Sequence, residues 1–165
     1  MFNSHRKAVE AELQMSTAAL SQSQSKLAAI SRAMAMIEFT PDGIILDANE
    51  KFCRAMGYER DELVGKHHRI FCEKAFYESE AYSRLWRDLA RGEPVCGTFM
   101  RLDKSGREIW LEAGYVPVFD AGGKVQSVVK IASDITARSH KEHENQSMID
   151  AIGRSMAIIE FSPDG

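Results

Sequence analysis

The 165-residue sequence lacks the features of several common classes of protein. It contains no apolar run of about 18 residues that would cross a bilayer, and its first residues, MFNSHRKAVE, lack the apolar core of a secretion signal. No more than two Lys or Arg residues are adjacent and the net charge is -3, so nucleic acid is not an expected partner. We therefore expect a cytoplasmic protein with no membrane segment in this part of the chain.

Cysteine pairs and catalytic motifs are also missing. The three cysteines, Cys53, Cys72 and Cys96, include no CxxC pair, which argues against a disulfide framework and against a cysteine zinc site. No GxSxG, HExxH, GxGxxG or P-loop motif occurs. Because catalysis needs such a constellation of reactive groups, we expect that the chain is not an enzyme.

The chain contains an internal repeat. Residues 27–43 read LAAISRAMAMIEFTPDG, and residues 149–165 read IDAIGRSMAIIEFSPDG. The second copy stops at the turn after which the first copy continues into IILDANEKF. This spacing is too long for a solenoid unit and is typical of tandem domains. We expect residues 157–165 to be the start of a second domain of the same kind.

Residues 1–33 contain neither glycine nor proline and are rich in good helix formers. Leu13, Leu20, Leu27 and Met34 recur every seven residues, a pattern that favours parallel pairing of helices. We predict a long N-terminal helix that forms a homodimer. The alternative is a solvated helix with one apolar edge that packs on its own domain.

Residues 34–136 predict five strands and several helices. MIEFTPDGIILDAN indicates a hairpin, and VCGTFMRLD, REIWLEAGYVPVFD and KVQSVVKIASDIT indicate three further strands. Between them lie two short helices and an amphipathic helix from Ser79 to Arg91. If the last strand returns beside the first, the result is an α+β fold with a five-stranded antiparallel sheet and helices on one face. We expect the N-terminal helix or a second subunit to cover Trp110.

These segments resemble the PAS sensor domain over about residues 28–136. The motifs that carry the resemblance are FTPDGIILDANEKFCRAMGY, DELVGKHHRIF, LARGEPVCGTFMRLDKSGREIWLEAGYVPVFDAGGKVQSVVKIASDIT and the terminal triplet Asp134-Ile135-Thr136. The resemblance implies a PAS fold at residues 34–136, preceded by the long N-terminal helix and followed by a linker helix at residues 137–156.

The stretch GEPVCGTFMRLDKSGREIWLEAGYVPV is most similar to PAS domains of bacterial methyl-accepting chemotaxis proteins, including aerotaxis receptors. The resemblance implies a sensor of oxygen, redox state or a small ligand, whose signal passes through the triplet to the following helix. Its implied partners are a second copy of the chain, a downstream chemoreceptor signalling domain, and the kinase and adaptor of that domain. The alternatives are the sensor of a histidine kinase or of a cyclic-di-nucleotide enzyme, and a cofactor-free scaffold for dimerisation.

Two adjacent histidines lie in KHHRIFCEK, residues 66–74, which the resemblance places at the mouth of a PAS pocket. Consecutive residues on a turn cannot both point inward, so we expect one to be solvated or bonded to backbone. In light-sensing PAS domains of the LOV type, a reactive cysteine aligns with His68, which excludes a flavin–thiol adduct here. PAS oxygen sensors imply instead that His67 or His68 ligates haem iron. The plain alternative is that both are structural or surface residues.

Flavin-binding aerotaxis receptors imply a second cofactor, FAD. One of their histidines aligns with His68 and a tryptophan corresponds roughly to Trp86, but their cationic partners for the phosphates are missing, so Arg69 or Lys74 must replace them. The candidate cofactor-binding residues are His67, His68, Trp86, Asn49, Arg69, Phe71 and Met100. Haem b ranks ahead of FAD, and no cofactor is the third alternative. Trp86 is also explained by core packing, and Asn49 by capping of a helix.

The size of the pocket is open at this stage. Five bulky residues are able to fill a small cavity, namely Phe52, Met56, Phe71, Phe99 and Met100. Gly97, Ala113 and Gly114, on the late strands, leave room over the sheet instead.

Overall fold

The computed structural model describes the backbone of residues 2–157 and, within it, the side chains of residues 6–151 apart from Ala8 and His143. The helices are α1 (Phe2–Ala33), α2 (Glu50–Met56), α3 (Arg60–Leu63), α4 (Lys74–Tyr77), α5 (Glu80–Ala90) and α6 (Thr136–Ala157), with a 3₁₀ turn at His68–Phe71. The strands are β1 (Ala35–Phe39), β2 (Ile45–Ala48), β3 (Val95–Leu102), β4 (Glu108–Phe119) and β5 (Val125–Asp134). Apart from Ala157, at the end of α6, the predicted start of a second domain lies outside the described residues.

The five strands form one antiparallel sheet in the order β2-β1-β5-β4-β3. The last strand pairs with the first, with Ile37 opposite Lys130, and also with β4, where Gly114 lies opposite Ile131. The α+β fold, with its five-stranded antiparallel sheet and a long preceding helix, is therefore confirmed. The strand β5 therefore lies at the centre of the sheet, between β1 and β4.

The helix α5 packs one apolar stripe against the sheet. Ser79 caps its N-terminus by accepting a hydrogen bond from the backbone N–H of Tyr82. The residues of the stripe are buried, as the spacing predicted: Tyr82, Leu85, Trp86 and Leu89. Together with the inward side chains of the strands they form one continuous core.

Alternation along the strands separates an inner face, covered by the helices, from an outer face. Ile109, Leu111, Ala113 and Tyr115 are buried on β4, whereas Trp110 lies between them on the outer face. Met100 lies directly opposite Trp110, so it belongs to the outer face too. The sequence-based placement of Met100 in the pocket is therefore corrected, as is that of Gly114, which alternates with the buried Ala113 and Tyr115.

The two terminal helices meet the core at different places. The helix α1 contacts β1, and its apolar residues stay in solvent, since Leu13, Leu20 and Leu27 are 65%, 59% and 60% exposed. The helix α6 contacts β4, and with it forms a groove lined by Glu108, Trp110, Ser139, His140 and Glu144. In the described residues Trp110 is thus partly covered by α6 and not by the N-terminal helix, whereas cover by a second subunit, the other expectation, stays a prediction. No helix within residues 2–157 is long and apolar enough to cross a membrane.

Candidate functional site

The two adjacent histidines point in different directions because the chain turns tightly between them. The backbone N–H of His68 donates to the carbonyl of Gly43 at 2.8 Å, which fastens the 3₁₀ turn to the loop between β1 and β2. His68 is 1% exposed and lies inside the core. His67 is half-buried at the surface, where its Nδ1 accepts from the backbone N–H of Arg69 at 3.2 Å.

Gly43 makes the close approach of this loop to the histidines possible. Its φ of +90° lies in the region that favours glycine. A Cβ at this position would lie 3.0 Å from the Trp86 ring and 3.1 Å from the His67 ring. Glycine is therefore required here both by the backbone conformation and by the space.

The imidazole of His68 bridges two tyrosines from opposite sides of the core. Its Nδ1 lies 3.1 Å from the Tyr82 hydroxyl on α5, and its Nε2 lies 3.0 Å from the Tyr115 hydroxyl on β4. A neutral imidazole carries one N–H donor and one acceptor, so it satisfies this pair of contacts. The Tyr115 oxygen also accepts from Arg101 Nη2 at 3.2 Å. We therefore assign Tyr115 as donor to Nε2, and Nδ1–H as donor to Tyr82.

Aromatic rings enclose this imidazole. The ring centroids of Phe39, Phe71, Tyr82, Trp86 and Tyr115 lie between 5.3 and 6.1 Å from that of His68. Burial disfavours the charged imidazolium and lowers the pKa of His68 well below its ordinary value, and Arg101 and Lys130 add repulsion. Burial also raises the pKa of Tyr82 to about 12. His68 and Tyr82 are therefore neutral at pH 7.

Two cationic side chains lie beside the bridge without a carboxylate. Arg101 on β3 and Lys130 on β5 are 3% and 2% exposed. Among the described residues, no carboxylate oxygen lies within 4.0 Å of either side chain. The Lys130 Nζ lies 4.7 Å from the centroid of the Tyr115 ring. Burial lowers the pKa of Lys130, an effect that Tyr115 partly offsets and Arg101 adds to.

His67 lies in a groove of about 460 Å³ at the surface. The other residues that line it are Pro41, Asp42, Arg69, Tyr77, Tyr82, Ser83 and Trp86. Partial burial lowers the pKa of His67, and Arg69 lowers it further. The Tyr82 hydroxyl lies 3.5 Å from His67 Nδ1, so a chain of hydrogen-bonding groups leads from this groove to the interior bridge.

The predicted cofactors do not fit the interior. An axial haem ligand needs an unoccupied ring nitrogen, and both nitrogens of His68 face tyrosine hydroxyls. The rings around His68 fill the space that a porphyrin or an isoalloxazine needs. Arg69 and Lys74, the predicted partners of FAD phosphates, are exposed, and the groove at His67 opens to solvent. Of the five bulky residues considered in the sequence, Phe52, Met56 and Phe71 are buried in the core, and which cofactor, if any, the chain takes stays a prediction.

Of the remaining predicted cofactor-binding residues, two lie in the core beside His68 and one caps a helix away from it. Trp86 and Phe71 contact the His68 ring. Asn49 is a cap, since its Oδ1 accepts from the backbone N–H groups of Phe52 and Met36. Its Nδ2 donates to the carbonyls of Ser31 and Met34, so it fastens the end of α1 to the core, away from His68.

The predicted relay triplet fastens α6 to the sheet. The Thr136 hydroxyl donates to Asp134 Oδ1 at 2.6 Å and accepts from the backbone N–H of Trp110 at 3.0 Å. The backbone N–H of Ile135 donates to the Trp110 carbonyl at 2.8 Å. The first turn of α6 is therefore attached to β4, the strand that carries Tyr115 at its inner face.

Sequence reasoning missed Tyr115, Arg101 and Lys130 as members of the interior group. The alternation of side chains along each strand was the available indication. Arg101 is two residues from Phe99, so both side chains lie on the same side of β3. Lys130 lies on the same side of β5 as Val128 and Ala132. A charged residue on the inward, apolar side of a strand is a stronger indication of a functional site than the histidine pair itself.

Comparisons with known proteins agree with this architecture. The PAS domain family matches residues 32–137. The biofilm dispersion protein BdlA of Pseudomonas aeruginosa is 53% identical over 139 residues, which cover 84% of this chain and 33% of that protein. A blue-light-activated histidine kinase of Brucella canis is 30% identical over 126 residues, or 73% of this chain and 25% of the kinase. The chain thus spans a third or less of these relatives.

Solved structures also share the fold. The structure of an RNA-binding light-oxygen-voltage receptor matches 84% of this chain and 39% of its own chain, with a TM-score of 0.64 and 22% sequence identity. The PAS domain of a protein from Colwellia psychrerythraea matches with a TM-score of 0.60 and 20% identity, over 69% of this chain and 97% of that one. At this identity the likeness concerns the fold.

The pKa of His68 predicts a specific dependence of stability on pH. Its folded value lies below the unfolded value of about 6.5, so the unfolded state binds the proton more readily. Stability from this group is fully present above pH 6.5 and is lost as the pH falls toward the folded pKa. Between pH 7 and pH 5, wild-type protein should lose about 1–2 kcal/mol more stability than His68→Gln. Urea unfolding at both pH values measures the difference, and equal losses in the two proteins contradict the buried neutral bridge.

Proposed function

The chain belongs to the PAS domain family, and from that premise we propose that it is the sensing module of a bacterial signalling protein. The signal arises at the interior group around His68 and leaves through α6. The family and the likeness to BdlA support a sensory role. We propose further that the parent protein is a cytoplasmic chemoreceptor with a second domain of the same kind in tandem. Its signalling domain, kinase and adaptor would act downstream of this domain.

The observation that carries the proposal is the polar group at the centre of an otherwise apolar core. His68, Arg101 and Lys130 are each at most 3% exposed. Burying such groups costs free energy that apolar side chains of similar size avoid. Costly polar groups at one place in a core are typical of functional sites. A sensor needs two states that its ligand binds with different affinities, and in this proposal the polar group is what differs between them.

A continuous set of contacts joins this group to the flanking helices. His68 bonds to Tyr115 on β4, and β4 bonds to the start of α6 through Trp110 and Thr136. Lys130 lies on β5, whose end leads directly into the same helix. A shift of the inner face of β4 or β5 therefore changes the direction of α6.

Dimerisation through α1 is the second element of the proposal. The exposed leucines at seven-residue spacing leave an apolar stripe without a partner in the single chain. In a parallel dimer the stripes of two chains cover each other, which places the two sensing cores side by side. A change at either core then alters how the paired helices meet.

A cofactor-free scaffold is the second candidate. The filled interior favours it, because packing of His68 among five aromatic rings leaves no space for haem or FAD. In this alternative the domain only holds two chains together, and the interior does not communicate with α6. The Brucella relative is blue-light-activated by name. The resemblance to LOV-type domains aligns His68 with their reactive cysteine and so argues against a flavin–thiol adduct in this chain.

Hydrogen exchange separates a relay from a scaffold. His68→Phe removes both tyrosine contacts while keeping a planar ring, so we expect the amides of residues 136–142 to exchange at a rate changed by about fivefold, the lower end of allosteric couplings. Thr136→Val, which removes the contact to Trp110, should change the same amides. Leu63→Ala, a core variant on α3, is the matched control and should leave them unaltered after correction for global stability. Unchanged exchange in His68→Phe favours the scaffold.

The dimer has its own test. We expect Leu20→Glu to place a charge in the seam of α1 and to weaken association at least about tenfold. Gln22→Glu adds the same charge two positions away, on the opposite side of the helix, and should leave the dimer intact. Sedimentation equilibrium gives the association constants, with 18.5 kDa as the mass of one chain. Equal association of the two variants means that α1 is not the dimer contact.

A further inference from the structure

The cation pair beside His68 lies behind a groove on the surface between α5 and β3. This groove measures about 370 Å³, within the range of about 300–1,000 Å³ of small-ligand sites. Its lining is mainly apolar, with Phe76, Leu85, Val95 and Phe99 among its residues. Such a lining suits the apolar body of a small molecule.

Two aromatic rings separate the groove from Arg101. The guanidinium carbon lies 5.2 Å from the centroid of the Phe76 ring and 5.2 Å from that of Phe99. The Lys130 Nζ lies 5.7 Å from the same Phe99 ring. A ligand in the groove would therefore have to displace these two half-buried rings to reach the cations.

The hydrogen bonding of Arg101 is incomplete. Its Nη1 donates to the Met100 carbonyl and its Nη2 donates to the Tyr115 hydroxyl. Its buried Nε has no hydrogen-bond partner within the described part of the chain. A guanidinium fork of this kind matches a carboxylate, which takes two parallel hydrogen bonds.

The two carboxylates at the rim of the groove pair with surface arginines and not with the interior cations. At the rim, Glu80 is paired with Arg87 at 2.7 Å and Asp88 approaches Arg91 at 4.0 Å. The interior cations have no such partner among the described residues. An anion is thus the group that the site lacks.

We propose that this groove binds a small organic carboxylate, whose apolar body lies against Phe76 and Phe99 and whose carboxylate pairs with Arg101, with Lys130 as the second charge. This proposal rests on the proposed sensing function and adds to it the chemical class of the ligand that is sensed. Binding neutralises the interior cations and engages Arg101, the donor to Tyr115. It therefore acts on the same hydroxyl that holds His68.

Benzoate is the probe for this site, and thermal unfolding of the whole chain is the readout. At about ten times its dissociation constant, benzoate should raise the Tm by about 3–6 °C. Benzamide, which has the same body without the charge, and inorganic phosphate, which has charge without the body, should each give no shift. No shift with benzoate overturns the proposal, as does an equal shift with benzamide or with phosphate.

Variants locate the binding. Arg101→Met should weaken benzoate binding at least about tenfold, the loss expected when a charge-assisted pair is removed. Arg84→Met removes a cation from the rim of the groove and is the matched comparison, so it should weaken benzoate binding less than Arg101→Met does. Loss of binding in Arg84→Met with retention in Arg101→Met assigns benzoate to the surface and overturns the proposal.

A measurement without ligand protects the test against a variant that folds poorly. Lys130→Met removes a buried ammonium that lacks a carboxylate, so the ligand-free protein should gain about 2–4 °C in Tm. A clear fall in Tm means that Lys130 supports the fold and overturns its role in binding.

The binding site and the relay can fail separately. If benzoate binds but does not change hydrogen exchange in α6, the relay is refuted and the binding site is retained. If the variants at His68 and Thr136 change hydrogen exchange in α6 but benzoate does not bind, only the binding site is refuted.

Discussion

The hydrogen-bonded bridge from Tyr82 through His68 to Tyr115 is the interaction on which the rest of the structure depends. It joins α5, the 3₁₀ turn and β4 at one point, with contacts of 3.1 and 3.0 Å. A neutral imidazole is the group that can face a donor and an acceptor at once, and burial keeps it neutral. The same bridge occupies the space and the ring nitrogens that haem would need. In the described residues, the interior is therefore organised around this polar contact.

The supports of the core show how such a contact reaches the ends of the domain. Asn49 ties the end of α1 to the start of β1 and α2. Thr136 ties the start of α6 to Trp110 on β4. Polar side chains thus help to hold the entry and the exit of the domain, while its centre holds Arg101 and Lys130, which have no carboxylate partner among the described residues. These contacts are the ones on which the proposed relay from the centre to both helices depends.

Much of the fold was predictable from local patterns. The strand alternation, the turn at Gly43 and the stripe on α5 are properties of neighbouring residues, and they predicted the sheet and its order. The inward direction of one histidine followed from the turn, but its identity as His68 depends on a backbone bond to Gly43 across the chain. Arg101 and Lys130 were missed because charged residues are normally solvated, although their parity was inward. The part of α6 in covering Trp110 was not predicted, since it depends on a long-range bond to Thr136.

The protonation state of His68 is the most direct test of this account. Nitrogen NMR of the imidazole in the folded chain distinguishes a neutral ring, with one protonated nitrogen, from an imidazolium. We predict a neutral ring, protonated at Nδ1, that persists below pH 5.5, a pH at which an ordinary histidine is about nine-tenths charged. A His68 signal that titrates near its ordinary pKa of about 6.5 contradicts the buried bridge, and with it the interior origin of the signal.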